Sequence, residues 1–187
     1  MFLVACGTCG AASWPTFQSY PQVSASLLIA NDTTQYTVTT TIGDNDGYND
    51  IVDVRVLFDM VEALGDSTKG RGYLDWATSD SLITRYGGTW TIADATGGGR
   101  WGYRTDAWGG TTYITPVSCS TTTAGSATGG AGTRTVTWTF KARPAWAMNP
   151  LTNDADVWAA DASAQIIGWR ENAAEFDVVA ANCVAEC

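Results

Sequence analysis

The amino-acid sequence predicts an all-β protein whose strands pack as a β-sandwich. The chain of 187 residues contains 27 threonines, which favour the pleated surface of a strand, and 20 glycines, which favour turns. Short segments alternate apolar with polar side chains, as half-buried strands do. Roughly nine to eleven such segments recur at the spacing typical of a sandwich or barrel. We therefore expect packed sheets with long loops and little helix.

The first half of the chain contains three predicted strands, followed by a long insertion. Apolar side chains alternate with polar ones at residues 23–29, 36–42 and 52–58. Residues 60–88 lose this alternation and contain several glycines. We therefore expect a loop insertion lying on the sandwich there, with one or two helical turns at residues 79–86.

The second half contains further predicted strands and one low-complexity segment. Residues 121–132 are nearly all Thr, Ser, Ala and Gly, which is typical of a flexible loop or spacer. We divide the chain into an N-terminal segment, residues 1–22, and a single sandwich domain, residues 23–187, because no later point requires a domain boundary. The strands of this half are predicted at residues 89–93, 100–105, 111–118, 135–140, 157–161, 165–169 and 175–181.

Charge and composition exclude several classes of function. The formal net charge is −9 and the ten Lys and Arg residues are scattered, so we expect no nucleic-acid partner. The chain has no histidine, which excludes Ser-His-Asp and Cys-His nucleophiles and histidine-ligated zinc. Its apolar runs are far shorter than the roughly 20 residues of a transmembrane helix. The few glutamates single out no glycosidase-like carboxylate pair, so we expect no enzyme activity.

The most informative segment is an acidic loop between two predicted strands. It fits the pattern DxDGxxDxxD, with carboxylates at Asp44, Asp46, Asp50 and Asp53. Oxygen donors at alternate positions around a glycine turn suit a hard cation with six to eight ligands, and calcium fits best. The carbonyl of Tyr48 is the predicted backbone ligand. The alternative is a hairpin turn whose Asp and Asn side chains bond only their own backbone, but mutual repulsion of four carboxylates favours the metal.

Two segments carry a resemblance to a known family. The acidic run DNDGYNDI between strands, within residues 36–58, resembles a loop of immunoglobulin-like β-sandwich domains in secreted and surface-layer proteins of archaea and bacteria. The run WAAD at residues 158–161, after the strand at 135–140 and two prolines, resembles a strand of the same domains. The resemblance implies an immunoglobulin-like or jelly-roll sandwich. It further suggests subunits of extracellular fibres or tubes, similar to archaeal cannulae or camelysin-like fibres, which calcium consolidates.

The apolar N-terminus is the predicted assembly element. In such fibres a strand from one subunit completes the sheet of the next, and residues 1–5 are the candidate donated strand. The side chains of Phe2, Leu3 and Val4 would then fill a groove in the neighbouring subunit. A head-to-tail contact of this kind propagates into a homopolymer unless its geometry closes a ring.

Cysteines lie near both ends of the chain. The pairs Cys6/Cys9 and Cys183/Cys187 suit a four-cysteine zinc site if the ends meet, but no basic residues flank them. We favour disulfides that staple the ends in an oxidising compartment, which predicts a secreted or cell-surface protein. Cys119 is then either a small buried side chain or an intermolecular partner.

The nine tryptophans indicate carbohydrate binding as an alternative function, because exposed indoles stack on sugar rings. Trp138, Trp158 and Trp169 lie in predicted strands and are expected in the core. Trp101 and Trp108 lie in a glycine-rich stretch and are the candidates for exposed aromatics that stack on sugars. The primary hypothesis is therefore a secreted, calcium-stabilised structural protein that assembles with itself, and the alternative is a carbohydrate-binding module that recognises glycans.

Overall fold

Twelve strands and two short helices make up the part of the chain that the computed structural model describes. That part comprises residues 13–59, 71–85, 87–105, 113–147, 153–170 and 175–181. The elements in chain order are β1 (Thr16–Val23), β2 (Leu27–Ala30), β3 (Gln35–Asp44), β4 (Ile51–Phe58), β5 (Gly72–Ala77), α1 (Asp80–Thr84), β6 (Trp90–Asp94), β7 (Arg100–Arg104), β8 (Ile114–Gly125), β9 (Gly132–Ala142), α2 (Pro144–Ala147), β10 (Asn153–Asp161), β11 (Ile166–Arg170) and β12 (Glu175–Ala180).

The strands form two sheets, which confirms the predicted all-β sandwich. The smaller sheet has the order β1-β3-β9-β8 and is antiparallel throughout. The larger sheet has eight strands in the order β2-β12-β10-β4-β5-β7-β6, with β11 paired to β10. Its β12 and β2 are parallel, whereas β10, β4 and β5 are antiparallel neighbours.

The core lies between the sheets because each central strand turns alternate side chains inward. Val38 and Ile42 of β3 are fully buried, and so is Trp138 of β9, while the threonines that alternate with them face outward. A cluster of aromatic rings fills the end of the core that contains α2. Its members have ring centroids 4.8 to 6.4 Å from at least one other ring, and they are Phe58, Phe140, Trp146 and Phe176.

The predicted insertion at residues 60–88 is wrong in part, because it contains a central strand. Strand β5 is buried along its whole length between β4 and β7, although it begins with a glycine and Asp75 interrupts its apolar residues. The predicted helical turns are confirmed as α1. The N-terminal segment is also revised, since its residues from Thr16 onward form β1 of the protein's own sheet. Residues 121–132 are not a spacer, because β8 extends to Gly125.

Several predicted residues lie outside the described part of the chain. They are the candidate donated-strand residues Phe2, Leu3 and Val4, the terminal cysteines Cys6, Cys9, Cys183 and Cys187, and Trp108. Cys119 is described and is a buried free thiol. Among the helices that the described ranges contain, none is long and apolar enough to cross a bilayer.

Candidate metal centre

The acidic loop is a tight connection between the two sheets. Asp44 is the last residue of β3 in the smaller sheet, and Asp50 directly precedes β4 in the larger one. Gly47 has a φ of 111°, a conformation that side-chain-bearing residues rarely adopt. A Cβ at this position would also lie 2.4 Å from the carbonyl oxygen of Ala127. The pattern's glycine is therefore required by the backbone and by its packing.

The hairpin between β8 and β9 supports the acidic loop from outside. The Tyr48 N–H donates to the Ser126 carbonyl at 3.0 Å, and the Asn49 N–H donates to the Ala127 carbonyl at 3.1 Å. In return, the Gly129 N–H donates to the Asp46 carbonyl at 2.8 Å. This low-complexity segment therefore holds the acidic loop in place.

Three carboxylates of the loop converge. Oxygens from Asp44, Asp46 and Asp50 all lie within 4.8 Å of one another. Short hydrogen bonds fix two of them. The Asp46 N–H donates to Asp44 Oδ1 at 2.7 Å, and the Ser13 hydroxyl donates to the same oxygen at 2.9 Å. The Ser13 N–H donates to Asp46 Oδ2 at 2.6 Å, so the entry to β1 is tied to the same site.

Some buried oxygens of these carboxylates are left without a partner. Oδ2 of Asp44 and Oδ2 of Asp50 are inaccessible to solvent and accept no hydrogen bond from the described residues. Asp44 as a whole is only 4% exposed. A buried carboxylate oxygen without a donor is costly, and a bound cation would remove that cost. The oxygens therefore point to a positively charged ligand that the protein's own side chains do not supply.

A fourth carboxylate, Asp161, faces this group from the end of β10. It is 2% exposed, and its Oδ1 accepts the Gln165 N–H at 2.7 Å. Its Oδ2 is buried without a hydrogen-bond partner among the described residues. The adjacent Ala162 N–H donates to the Asp50 carbonyl at 2.8 Å, which brings the turn after β10 against the loop. In the sequence, the WAAD run carries only a family resemblance, and no pattern there indicates that Asp161 faces the acidic loop.

The pKa shifts show the same crowding of negative charge. The pKa of Asp50 is raised by burial first, and then by repulsion from Asp161, Asp44 and Asp46. The pKa of Asp161 is likewise raised by burial, with further repulsion from Asp44 and Asp46. Burial and neighbouring negative charge therefore disfavour the ionised forms of Asp50 and Asp161, and a cation among these carboxylates would reverse that effect.

Two of the predicted ligands have other partners. Asp53 lies beyond the loop on β4 and is fully buried. Its carboxylate accepts a hydrogen bond from Arg55 Nη2 at 2.6 Å and forms an ion pair with Arg85 at 2.9 Å. The Tyr48 carbonyl accepts Arg134 Nη2 at 3.1 Å, so a cation bound there would face a guanidinium. Both are corrections to the predicted ligand set, because the spacing of acidic residues within one loop does not reveal which arginines pair with them in the fold.

The burial of the tryptophans differs in part from the predictions. Trp138 is fully buried and Trp158 is 6% exposed, as predicted, whereas Trp169 is half-buried. The prediction that Trp101 is exposed is wrong. This residue is 6% exposed because it lies on β7, which has β5 on one side and β6 on the other. The exposed tryptophan among the described residues is Trp14, at 64%.

Comparisons of the chain with protein-family models, with curated proteins and with solved structures give no match. The functional assignment therefore rests on the residues and their geometry. These establish an all-β sandwich with an acidic cluster that could hold a metal ion at one end.

Proposed function

We propose that this protein is a secreted, non-catalytic β-sandwich subunit that a calcium ion stabilises and that assembles with copies of itself. The observation that carries the proposal is the set of buried, unpartnered carboxylate oxygens at the junction of the two sheets. A catalytic role has no support from a chain that lacks histidine. The cation is the part of the proposal most directly supported, and assembly is the extension from it.

The chemistry of the donors favours calcium over other cations. All candidate ligand atoms are carboxylate oxygens, which suit hard cations and disfavour zinc or copper. Asp44, Asp46 and Asp50 supply three donors, and Asp161 supplies a fourth carboxylate directly or through water. Magnesium keeps several waters and is held by one or two carboxylates, whereas calcium accepts six to eight oxygens in flexible geometry. The number of carboxylates therefore favours calcium.

The proposed assembly is supported by the edge of the smaller sheet. Its edge strand β8 is twelve residues long and contains no charged side chain. Natural sheets protect such edges with charges, prolines or bulges, and an unprotected stretch is a template for another strand. In β8, Pro116 and the bulge beside it protect only the first residues, so the uncharged stretch after Ser118 is the unprotected one. The backbone of Thr96 pairs with β8 around Ser120, so added strands would have the remaining length of this edge. The occupant that we propose is residues 1–5 of a second copy.

The cation and the donated strand would be connected through Ser13. This residue bonds to Asp44 and Asp46 and lies three residues before the start of β1, so it fixes the point at which the N-terminal segment leaves the domain. A bound cation would strengthen the carboxylate positions to which Ser13 bonds. The net charge of −9 would also be partly offset, which lowers repulsion between copies.

Negative-stain electron microscopy of the full chain, with calcium and with EDTA, tests this proposal. We expect filaments, tubes or layers in calcium, fewer in EDTA, and monomers from a chain that lacks residues 1–9. The deletion also removes two cysteines, so the matched control is the full-length Cys6→Ser/Cys9→Ser double variant. The donated-strand proposal fails if the truncated chain assembles normally, or if the cysteine variant alone abolishes assembly.

A further inference from the structure

The most exposed large apolar side chain of the described residues is Trp14. Its 64% exposure contrasts with the other described tryptophans, all of which are buried or half-buried. Burying an aromatic side chain stabilises a fold, and an exposed indole forgoes most of that stabilisation. The chain beside Trp14 is anchored, since its neighbour Ser13 is bonded to Asp44 and Asp46. An exposed indole on an anchored segment can serve as a stacking surface for a ligand.

Trp14 forms one wall of a groove of about 270 Å³ on the outer face of the smaller sheet. Thr16, Gln18, Asn45 and Thr133 contribute hydroxyl and amide groups to its lining. Gly43 forms part of the floor, where a Cβ would lie 2.7 Å from Nε2 of Gln18. Glycine at this position therefore lets the Gln18 amide lie across β3 inside the groove.

The groove is polar but nearly uncharged. The lining residues that the structure describes include one ionisable side chain, Asp44, whose Oδ1 is bonded to Ser13 and to the Asp46 backbone. The unpartnered Oδ2 of this carboxylate belongs to the candidate metal centre, so the groove itself offers a cationic ligand no separate charge, and an anionic ligand would meet no counter-charge. The volume is slightly below the range for drug-sized ligands and suits one ring-sized group. The ligand chemistry that fits is therefore neutral, ring-shaped and rich in hydroxyl groups.

We propose that this groove binds a sugar ring of a neutral polysaccharide. The apolar face of the ring would stack on the indole of Trp14, whose negative π-face attracts the polarised C–H groups of a pyranose. The amides of Gln18 and Asn45 and the hydroxyl of Thr133 each both donate and accept hydrogen bonds, as sugar hydroxyls do. An aromatic wall with a few convergent polar groups is the usual composition of a small-ligand site.

A row of threonines extends the groove along the sheet and favours a polymer over a single sugar. Thr133 lines the groove, and Thr135 and Thr137 follow it on the same face of β9. Their hydroxyls lie 2.8 Å from Thr41 Oγ1 and 2.9 Å from Thr39 Oγ1 on β3. These uncharged hydroxyls present donors and acceptors beside the groove, where the next sugar units of a chain would lie.

The saccharide site and the cation site share the segment that carries Trp14. Ser13 bonds to two of the candidate ligands, so a cation that fixes Asp44 and Asp46 also anchors the chain one residue before Trp14. We therefore expect weaker polysaccharide binding in EDTA. This dependence on calcium rests on the proposed function, whereas the groove and its aromatic wall do not.

Retention of the full chain on insoluble neutral polysaccharides, with cellulose, chitin and xylan as probes, tests the inference. We expect retention on at least one of them, and a loss of at least tenfold in affinity for Trp14→Ala. The matched control is Tyr20→Ala, because Tyr20 is 51% exposed but does not line the groove. Thermal unfolding confirms that both variants fold.

Three outcomes would overturn the inference. The wild-type chain is not retained on any of the probes, Trp14→Ala binds as well as the wild type, or Tyr20→Ala loses as much affinity as Trp14→Ala. If Trp14→Ala blocks assembly while no probe retains the wild type, the groove contacts a second copy of the chain instead. Failure of the calcium site has a different signature, since retention would then persist unchanged in EDTA.

Discussion

Arg55 holds two buried aspartates together on the face of the larger sheet opposite the core residues Val54 and Val56. Its guanidinium donates to both carboxylate oxygens of Asp53, at 3.0 and 2.6 Å, and lies 3.2 Å from Asp75. All three ionisable residues are at most 2% exposed. Removing one partner from such a cluster leaves uncompensated charge in a low-dielectric environment.

Replacing Arg55 by Met should therefore cost about 3–5 kcal/mol of unfolding free energy, as measured by urea denaturation. The matched control is Arg85→Met, since the Arg85 side chain also pairs with Asp53 but is 31% exposed. A partly exposed pair of this kind contributes about 0–1 kcal/mol. Equal losses for the two variants would show that burial does not determine the worth of these ion pairs.

The buried carboxyl of Asp75 should make the free energy of unfolding depend on pH, and the substitution Asp75→Asn should remove that dependence. Burial, and then repulsion from Asp53, raises the pKa of this carboxyl well above 3.8. The folded state then holds a proton that the unfolded state releases, so this contribution is complete below pH 3.8 and is lost as pH rises through the folded pKa. In Asp75→Asn the amide stays neutral. Urea denaturation in EDTA between pH 4 and 8 should show its stability rising relative to wild type, and a pH-independent difference would contradict this assignment.

At the scale of elements, the acidic loop and the hairpin between β8 and β9 act as one unit. Gly47 combines a positive φ with close contact to Ala127, whereas Gly98 has nearly the same φ, 110°, and open space at its Cβ position. Gly98→Ala should cost about 1–3 kcal/mol through backbone strain alone. Gly47→Ala should cost more and should also weaken calcium binding, as measured by isothermal titration calorimetry. Unchanged calcium affinity in Gly47→Ala would show that the hairpin does not position the ligands.

The sequence predicts those elements whose alternation is regular and misses those where it is not. Strands β3 and β9 have regular threonine alternation and are both predicted, β3 to within two residues of its ends and β9 to within three. Strand β5 is missed because it is buried on both faces and carries Asp75, so it has no alternation to detect. The segment after Thr121 resembles a spacer in composition, and only its backbone pairing with Gly132 and the acidic loop shows its role.

At the candidate site, the sequence predicts the residues that are close together in the chain and misses those that come from distant segments. Asp44, Asp46 and Asp50 lie within one loop, so their spacing alone predicts the cluster. Asp161 and Ser13 come from remote parts of the chain, and no local pattern identifies them as neighbours of that loop. Asp53 fits the local pattern but lies on β4, where its side chain meets Arg55 instead. Whether an aspartate of the pattern joins the cluster or meets an arginine depends on the face of the sheet to which its side chain points, and spacing along the sequence does not specify that face.

At the scale of the whole molecule, the candidate cation site joins the two sheets of the sandwich. Asp44 belongs to the smaller sheet, whereas Asp161 ends a strand of the larger one and Asp50 directly precedes another. An ion held by all three would oppose separation of the sheets at this end. Because the unfolded chain has no such arrangement, the binding free energy would add to the stability of the whole fold.

Thermal unfolding of the full chain in EDTA and in calcium tests the central claim most directly. Calcium at one hundred times its dissociation constant should add about 2.7 kcal/mol, which raises Tm by about 5–10 °C for a chain of this size. Asp50→Asn should lose most of this shift, and Asp177→Asn, an exposed position with the same change in charge, should keep it. A wild-type Tm that is the same in EDTA and in calcium, or an equal shift in Asp50→Asn, would contradict the account.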